Sequence, residues 1–311
     1  MASPASTFAR TTPAPSLRTG LRPLVVLGAP RSGTKLIRDL LGHSAACTSI
    51  PYGINHVWQM GASLSGTDAR PASHATPDCA QSIREALLDL AGARRRPRSG
   101  FLVEKTCANT LRVPFVQRVL PDAHFVHIVR DGRDAATSAR AQWQSPPTLA
   151  YLLGKLRYVP LRNAAFVTWY ARNLWQGWRD GSPRVRSWGP RYPGMDADLE
   201  SEPLLHVCAR QWNACVTRCL DALQALPDER VTHVRYEDLV SDPAAFDRVL
   251  SRLALPDAEA LRRNYRAVVH ARSVRRWQRD LTPQEQRALT TLLSPTLDRV
   301  AATLPLTHAS S

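Results

Sequence analysis

Gly28-Ala29-Pro30-Arg31-Ser32-Gly33-Thr34-Lys35 packs two glycines, two hydroxyls and two cations into eight residues, a mixture suited to holding an anion of the phosphate type. Gly28 and Gly33 let the backbone curl close to a ligand, and the free N–H groups at the start of the helix that follows carry the positive end of its dipole. Arg31 and Lys35 add fixed positive charge. Further along, Arg130 and Ser138 frame a second grip. Arg130 would leave the end of a strand and Ser138 would lie about two turns into the next helix, so that both could reach one phosphate. The alternative is that Arg130 only pairs with Asp131 or Asp134 at a solvated helix start.

The elements that must position these residues are legible in the hydrophobic pattern. Leu24-Val25-Val26-Leu27 reads as a buried strand, and Leu36, Ile37, Leu40 and Leu41 mark a helix after the loop. Residues 61–78 read as a loop, and about 79–91 as a helix with Ile83, Leu87, Leu88 and Ala91 on one face. A strand at Phe101-Leu102-Val103 ends at Glu104-Lys105-Thr106; residues 110–119 read as helix, 124–129 as strand and 132–142 as helix. This βαβα order predicts an α/β fold with a parallel sheet, whose ligands sit at the strands' carboxyl ends, where Gly28, Lys105 and Arg130 all fall. A long helix over 203–226 leads to a strand at Val231-Thr232-His233-Val234, and Asp242-Pro243 reads as the capped start of another helix.

A Walker loop would read G-x-x-x-x-G-K-[ST], whereas this chain has Gly33-Thr34-Lys35, with lysine and hydroxyl in the opposite order. Pro30-Arg31-Ser32-Gly33-Thr34 instead resembles the 5′-phosphosulfate loop of the sulfotransferases that use 3′-phosphoadenosine 5′-phosphosulfate (PAPS). The spacing Arg130-x7-Ser138 is similar to that family's 3′-phosphate element, and Arg235-Tyr236-Glu237-Asp238-Leu239 to its late strand and the stretch behind it. Ser273-Val274-Arg275-Arg276-Trp277 resembles the Ser-x-x-Lys-Trp loop that closes over the donor in tyrosylprotein sulfotransferases, with Arg276 in place of lysine. The matches run from about residue 23 to 300.

The resemblance, which is to bacterial-type members and to the tyrosylprotein and heparan glucosaminyl enzymes, implies a P-loop-like parallel sheet flanked by helices and PAPS as co-substrate. It implies a donor site of Arg31, Ser32, Gly33, Thr34, Lys35, Arg130, Ser138, Tyr236 and Arg276. Arg31, Lys35 and Lys105 would stabilise charge around the transferring sulfuryl group, and no metal is expected. The base that takes the acceptor's proton does not carry over. Cys107 stands where cytosolic enzymes of the family have histidine, and no carboxylate occurs between Asp39 and Asp68, where the other groups have glutamate. His56 is the substitute in that window, with a reference pKa suited to the task, and Glu104 is second.

The chain has 311 residues, with 41 Lys and Arg against 26 Asp and Glu, a formal charge of +15 that favours a polyanionic partner. One domain over 23–305 is expected, behind a disordered tail at 1–22. An acceptor-binding insertion is expected at 146–203, where Trp188 and Tyr192, in a turn-rich loop, offer aromatic faces, while helical packing accounts for Trp169 and Trp175. No apolar run is long enough to span a membrane, and the N-terminus lacks the apolar core of a secretory signal, so a soluble, cytoplasmic protein is expected. The six cysteines show no C-x2-C pair, which argues against zinc; Cys208, Cys215 and Cys219 fall at helical spacing, as core residues would. The acceptor is expected to be a hydroxyl of a carbohydrate, glycolipid or small molecule, not nucleic acid. The rivals are a P-loop kinase-like phosphotransferase and a non-enzymatic polyanion-binding protein; the first lacks a metal-binding Asp at a strand end, where Arg130 stands.

Overall fold

The structure, a computed structural model, describes residues 16–17, 20–62, 66–92, 99–145 and 188–306. At its centre is β1 (Leu21–Leu27), whose apolar run is buried on both faces, as a central parallel strand must be. Leu24 and Val26 face one hydrophobic cluster, Val25 and Leu27 the opposite one. β2 (Cys47–Ser49), β3 (Gly100–Lys105), β4 (His124–Val129) and β5 (Val231–Arg235) complete a parallel sheet in the order β2-β3-β1-β4-β5. From β1 the chain crosses to the edge strand β2, returns through β3, and then passes to the other side of β1 for β4 and β5. The carboxyl ends of β1 and β4 therefore flank the switch point, where open parallel sheets bind ligands.

Helices cover both faces; labels number the described helices in chain order. One face carries α1 (Thr34–Leu41), α8 (Tyr236–Ser241), α9 (Pro243–Leu253) and α10 (Ala258–Val268), which bury Ile37, Leu239, Phe246 and Leu261 against Val126 and Ile128. The other face carries α2 (Asn55–Trp58), α3 (Pro77–Leu90) and α4 (Val113–Val119), which bury Trp58, Ile83 and Phe115 against Val25 and Phe125. A third cluster joins α5 (Gly132–Gln144), α6 (Met195–Ser201), α7 (Leu204–Leu223), α11 (Trp277–Asp280) and α12 (Pro283–Thr303). Among the described residues no helix is long and apolar enough to cross a membrane.

Several elements depart from the sequence reading. The single helix expected over 110–119 is a 3-10 turn (Cys107–Leu111) followed by α4, because Pro114 has no N–H to carry a helical ladder across the junction and Arg112 departs from helical backbone at φ −145°, ψ 33°. Neither β2 nor α2 was expected. The α3 start lies at Pro77, inside the expected loop, with the Thr76 side chain accepting from the Cys79 N–H. Of the expected acceptor insertion, residues 146–187 lie outside the described residues, including Trp169 and Trp175, and the described remainder is packed. Tyr192 is buried, with its hydroxyl donating to Asp198 at 2.6 Å, and Trp188 packs on the third cluster beside Trp143. The Tyr192 ring is thus spent on packing, and the Trp188 ring in part. Cys208, Cys215 and Cys219 are buried along α7, unpaired, as expected.

Candidate active site

The loop between β1 and α1 is built by steric exclusion. A Cβ on Gly28 would lie 2.6 Å from the Ile128 carbonyl oxygen of β4, so only glycine lets β1 turn so close to its neighbour. Gly33, at φ 89°, caps α1 without a side-chain hydrogen bond, and a Cβ there would lie 2.5 Å from the Tyr236 ring. The first-turn amides of α1 are thus left for a ligand, at the positive end of the helix. Arg31 is also left-handed, at φ 65°, a strained state for a residue with a side chain. The Ser32 hydroxyl is buried without a protein partner.

Arg31, Arg130 and Ser138 come together across this loop. Arg31 Nε donates to Ser138 Oγ at 2.9 Å and its Nη1 to Gln142 Oε1 at 3.4 Å, so both partners are neutral groups of α5. Arg130 Nη1 donates to the Arg31 carbonyl at 3.0 Å, while its guanidinium lies 4.7 Å over the Tyr236 ring. The sequence alternative is met in part: Asp134 lies 3.6 Å from Arg130 Nη2, yet the buried Arg130 Nε has no partner. Partial burial, followed by the positive charge of Arg130, holds the Arg31 guanidinium below its ordinary pKa, and Arg276 acts in the same direction. A polyanion placed among these three arginines would relieve their mutual repulsion.

The other expected site residues fall into two groups. Lys105, at the end of β3, reaches Cys107 Sγ at 4.0 Å, and Cys107 lies 3.6 Å from Thr34 Oγ1, so Lys105 adjoins the start of α1. Lys35 instead pairs with Asp39 one turn further along α1, at 2.5 Å, with its side chain exposed. Arg276 is exposed and paired with Asp280 at 2.9 Å.

His56 is buried in α2, whose start is pinned beside β3 by the Ile54 N–H donating to Thr106 Oγ1 at 2.9 Å. Glu104 is buried on the opposite side of β3 from Lys105, with Asn109 Nδ2 donating to its Oε2 at 3.0 Å. Burial pushes its carboxyl above the ordinary range. Behind it Arg112 is fully buried, pushed down to about 10 by burial, and bonded to Asn109, Asn55 and Asp68. Among the described residues no cluster of side chains could hold a metal ion.

A model of the sulfotransferase family matches residues 23–180, which contain most of β1, the Gly28–Lys35 loop, β4 and α5. The chain belongs to the sulfotransferase family. No curated protein matches it. Solved structures similar to this sulfotransferase include a sulfotransferase from Alicyclobacillus acidocaldarius, at 18% identity over 91% of this chain and 96% of that one with a TM-score of 0.47. Sulfotransferase STF9 from Mycobacterium avium has 17% identity, coverage of 90% and 77%, and a TM-score of 0.46. Mouse sulfotransferase SULT7A1, complexed with PAP, has 14% identity, coverage of 92% and 87%, and a TM-score of 0.46.

Three residues that shape this candidate site were not among those the sequence singled out for it. Gln142, a turn beyond Ser138 on α5, orients Arg31. Trp212 of α7 donates to the Arg130 carbonyl at 3.2 Å and presses on Gly132, whose Cβ would lie 2.7 Å from the indole. Asp134 accepts two backbone N–H groups from the loop before α11. The one available signal was position: Asp134 and Gln142 stand four before and four after Ser138, on one face of a helix already assigned to the site.

Proposed function

We propose that this sulfotransferase moves a sulfuryl group from PAPS to an acceptor hydroxyl on a carbohydrate, glycolipid or small molecule. The observation that carries the donor assignment is the convergence of Arg31, Arg130 and Ser138 at the carboxyl ends of β1 and β4, beside the uncapped start of α1. The orphaned Ser32 hydroxyl and Arg130 Nε fit the same role, since a phosphate oxygen would satisfy each. In this reading Arg31, Ser32, Gly33 and Thr34 hold the 5′-phosphosulfate, Arg130 and Ser138 the 3′-phosphate, and the Tyr236 ring and Arg276 border the nucleotide.

Reaction breaks the bond between sulfur and the bridging oxygen and forms one from sulfur to the acceptor oxygen. The bisphosphate product keeps the electron pair, and the acceptor's proton passes to a base. Arg31 and Lys105 stabilise the charge that grows on the departing oxygen, with Lys35 as an outer cation; the work is positioning and electrostatics. His56 is the base, supported by the fixing of α2 beside Lys105; Glu104 faces the other side of β3 and holds the Asn109–Arg112 network. The aromatic-rich composition of 146–187 is what favours a ring-bearing acceptor.

The test is thermal stabilisation by 3′-phosphoadenosine 5′-phosphate against ATP at equal concentration. The bisphosphate is expected to raise Tm more, because ligand bound only to the native state stabilises it. Arg31→Ala and Arg130→Ala should each remove most of that shift. Ser138→Ala should weaken the bisphosphate while leaving adenosine 5′-monophosphate little changed. Equal shifts from bisphosphate and ATP would contradict the donor assignment.

A further inference from the structure

Asp134 is 2% exposed in the first turn of α5, and both of its carboxylate oxygens are given to the backbone of one loop. Oδ2 accepts the Arg275 N–H at 2.8 Å and Oδ1 accepts the Trp277 N–H at 3.0 Å, so a single carboxylate holds the N–H groups of the residues on either side of Arg276. Arg275 is left-handed there, at φ 58°, a conformation that costs energy for a residue with a side chain and persists only when its surroundings impose it. Two neighbours reinforce the hold. Arg130 Nη2 donates to the Ser273 carbonyl, and the Arg133 guanidinium stacks 4.3 Å over the Trp277 ring.

The consequence concerns Arg276. Its side chain is half exposed and, among the described residues, is tethered to Asp280, four residues on in the same short helical segment, so its contacts do not tie its charge to the rest of the site. Its flanking amides do. With Arg275 and Trp277 pinned to α5, the charge of Arg276 falls close enough to Arg31 to lower the Arg31 pKa, and the loop lies against Arg130. Charge-assisted bonds from backbone N–H to a buried carboxylate are among the stronger hydrogen bonds available, and the Asp134 carboxylate is shielded from water.

We propose that Asp134 is a positioning residue for the donor: a latch that closes the Ser273–Trp277 loop onto α5 and so sets Arg276 and Arg130 for the nucleotide. This rests on the donor reading above, but the latch itself does not require a nucleotide. The carboxylate's competing role is the ordinary one of an acid in the first turn of a helix, which would stabilise α5 and nothing else.

The experiment uses the full chain with Asp134→Ala, Asp134→Asn and Arg133→Ala. Trypsin cleavage is first followed without nucleotide, since Arg272, Arg275, Arg276 and Arg279 place its sites in and beside the loop. Steady-state kinetics with PAPS follow. In Asp134→Ala, cleavage within 272–279 should accelerate at least tenfold while other sites stay protected. Its PAPS KM should rise about tenfold, the scale of losing charge-assisted bonds, with a smaller change in kcat and none in acceptor KM.

Asp134→Asn keeps one carbonyl acceptor for the two N–H groups and should fall between Ala and wild type. Arg133→Ala, which leaves the carboxylate in place, should loosen the loop less. Loop cleavage unchanged in Asp134→Ala would overturn the latch. So would a freed loop with unaltered PAPS KM, or faster cleavage along the whole chain in both Asp134 variants. If PAPS instead fails to turn over with the wild type while the cleavage pattern holds, the donor reading falls and the latch stands as a structural fact.

Discussion

Gly33→Ala tests whether the anion loop is shaped by the late strand and the helix behind it. Two costs add at this position. A left-handed backbone costs an L-residue roughly 1–2 kcal/mol, and Gly33 sits at φ 89°. A Cβ would lie 2.5 Å from Tyr236 Cδ2 and 3.0 Å from Cε2, a contact that the buried ring can relieve only by moving, at about 1–3 kcal/mol for overpacking. Together these give roughly 2–5 kcal/mol, or a fall in Tm on the order of 10 °C for a domain of this size.

The assay is urea unfolding of wild type, Gly33→Ala, Tyr236→Ala and the double variant. Removing the ring should abolish the steric share and leave the backbone share, so Gly33→Ala should cost about 1–3 kcal/mol less in the Tyr236→Ala background. Binding of the 3′,5′-bisphosphate should weaken in Gly33→Ala, since the loop backbone must shift. An equal cost in both backgrounds would refute the packing of Tyr236 on Gly33. A variant as stable as wild type would refute the left-handed turn as well.

His56→Ala should lower kcat about a hundredfold while PAPS KM stays near wild type, with loss of the acidic limb of the kcat profile, as removal of a general base requires. Full kcat with an unchanged limb would exclude His56. Glu104 has its carboxyl pKa raised by burial, so its contribution to stability is whole below the ordinary glutamate value of 4.5 and is lost as pH rises through the raised value. Glu104→Gln, which cannot ionise, should therefore gain on wild type in unfolding free energy as pH rises above about 4.5; a difference that does not change on raising the pH would refute the shift.

The parts legible in the sequence were those governed by local rules. β4 was found with its full bounds because six consecutive buried residues leave no other reading of His124–Val129, and the loop after β1 because its glycines and cations are adjacent. The hydrophobic pattern missed β2, since three residues on a sheet edge have no period and exist through pairing with β3. It missed α2 for the same reason, four residues pinned by Thr106 rather than by their own propensity. Of the candidate donor residues, Arg31, Arg130, Ser138 and Tyr236 lie together at one edge of the sheet, but their contacts were not foreseeable. Arg31 reaches Ser138 across 107 positions, and Lys35, adjacent in the same motif, turns away to Asp39. The Asp134 clamp was invisible because it acts on backbone amides, which carry no mark in a sequence.

The most direct measurement is turnover. Purified protein is incubated with PAPS and a panel of hydroxyl-bearing sugars, glycolipids and small molecules in the presence of EDTA, and the products are read by mass spectrometry. The expected result is an acceptor that gains one sulfuryl group in step with release of 3′-phosphoadenosine 5′-phosphate, with Arg31→Ala and Arg130→Ala nearly inactive. Phosphorylation of an acceptor from ATP, dependent on magnesium and insensitive to Arg130→Ala, with no transfer from PAPS, would contradict it.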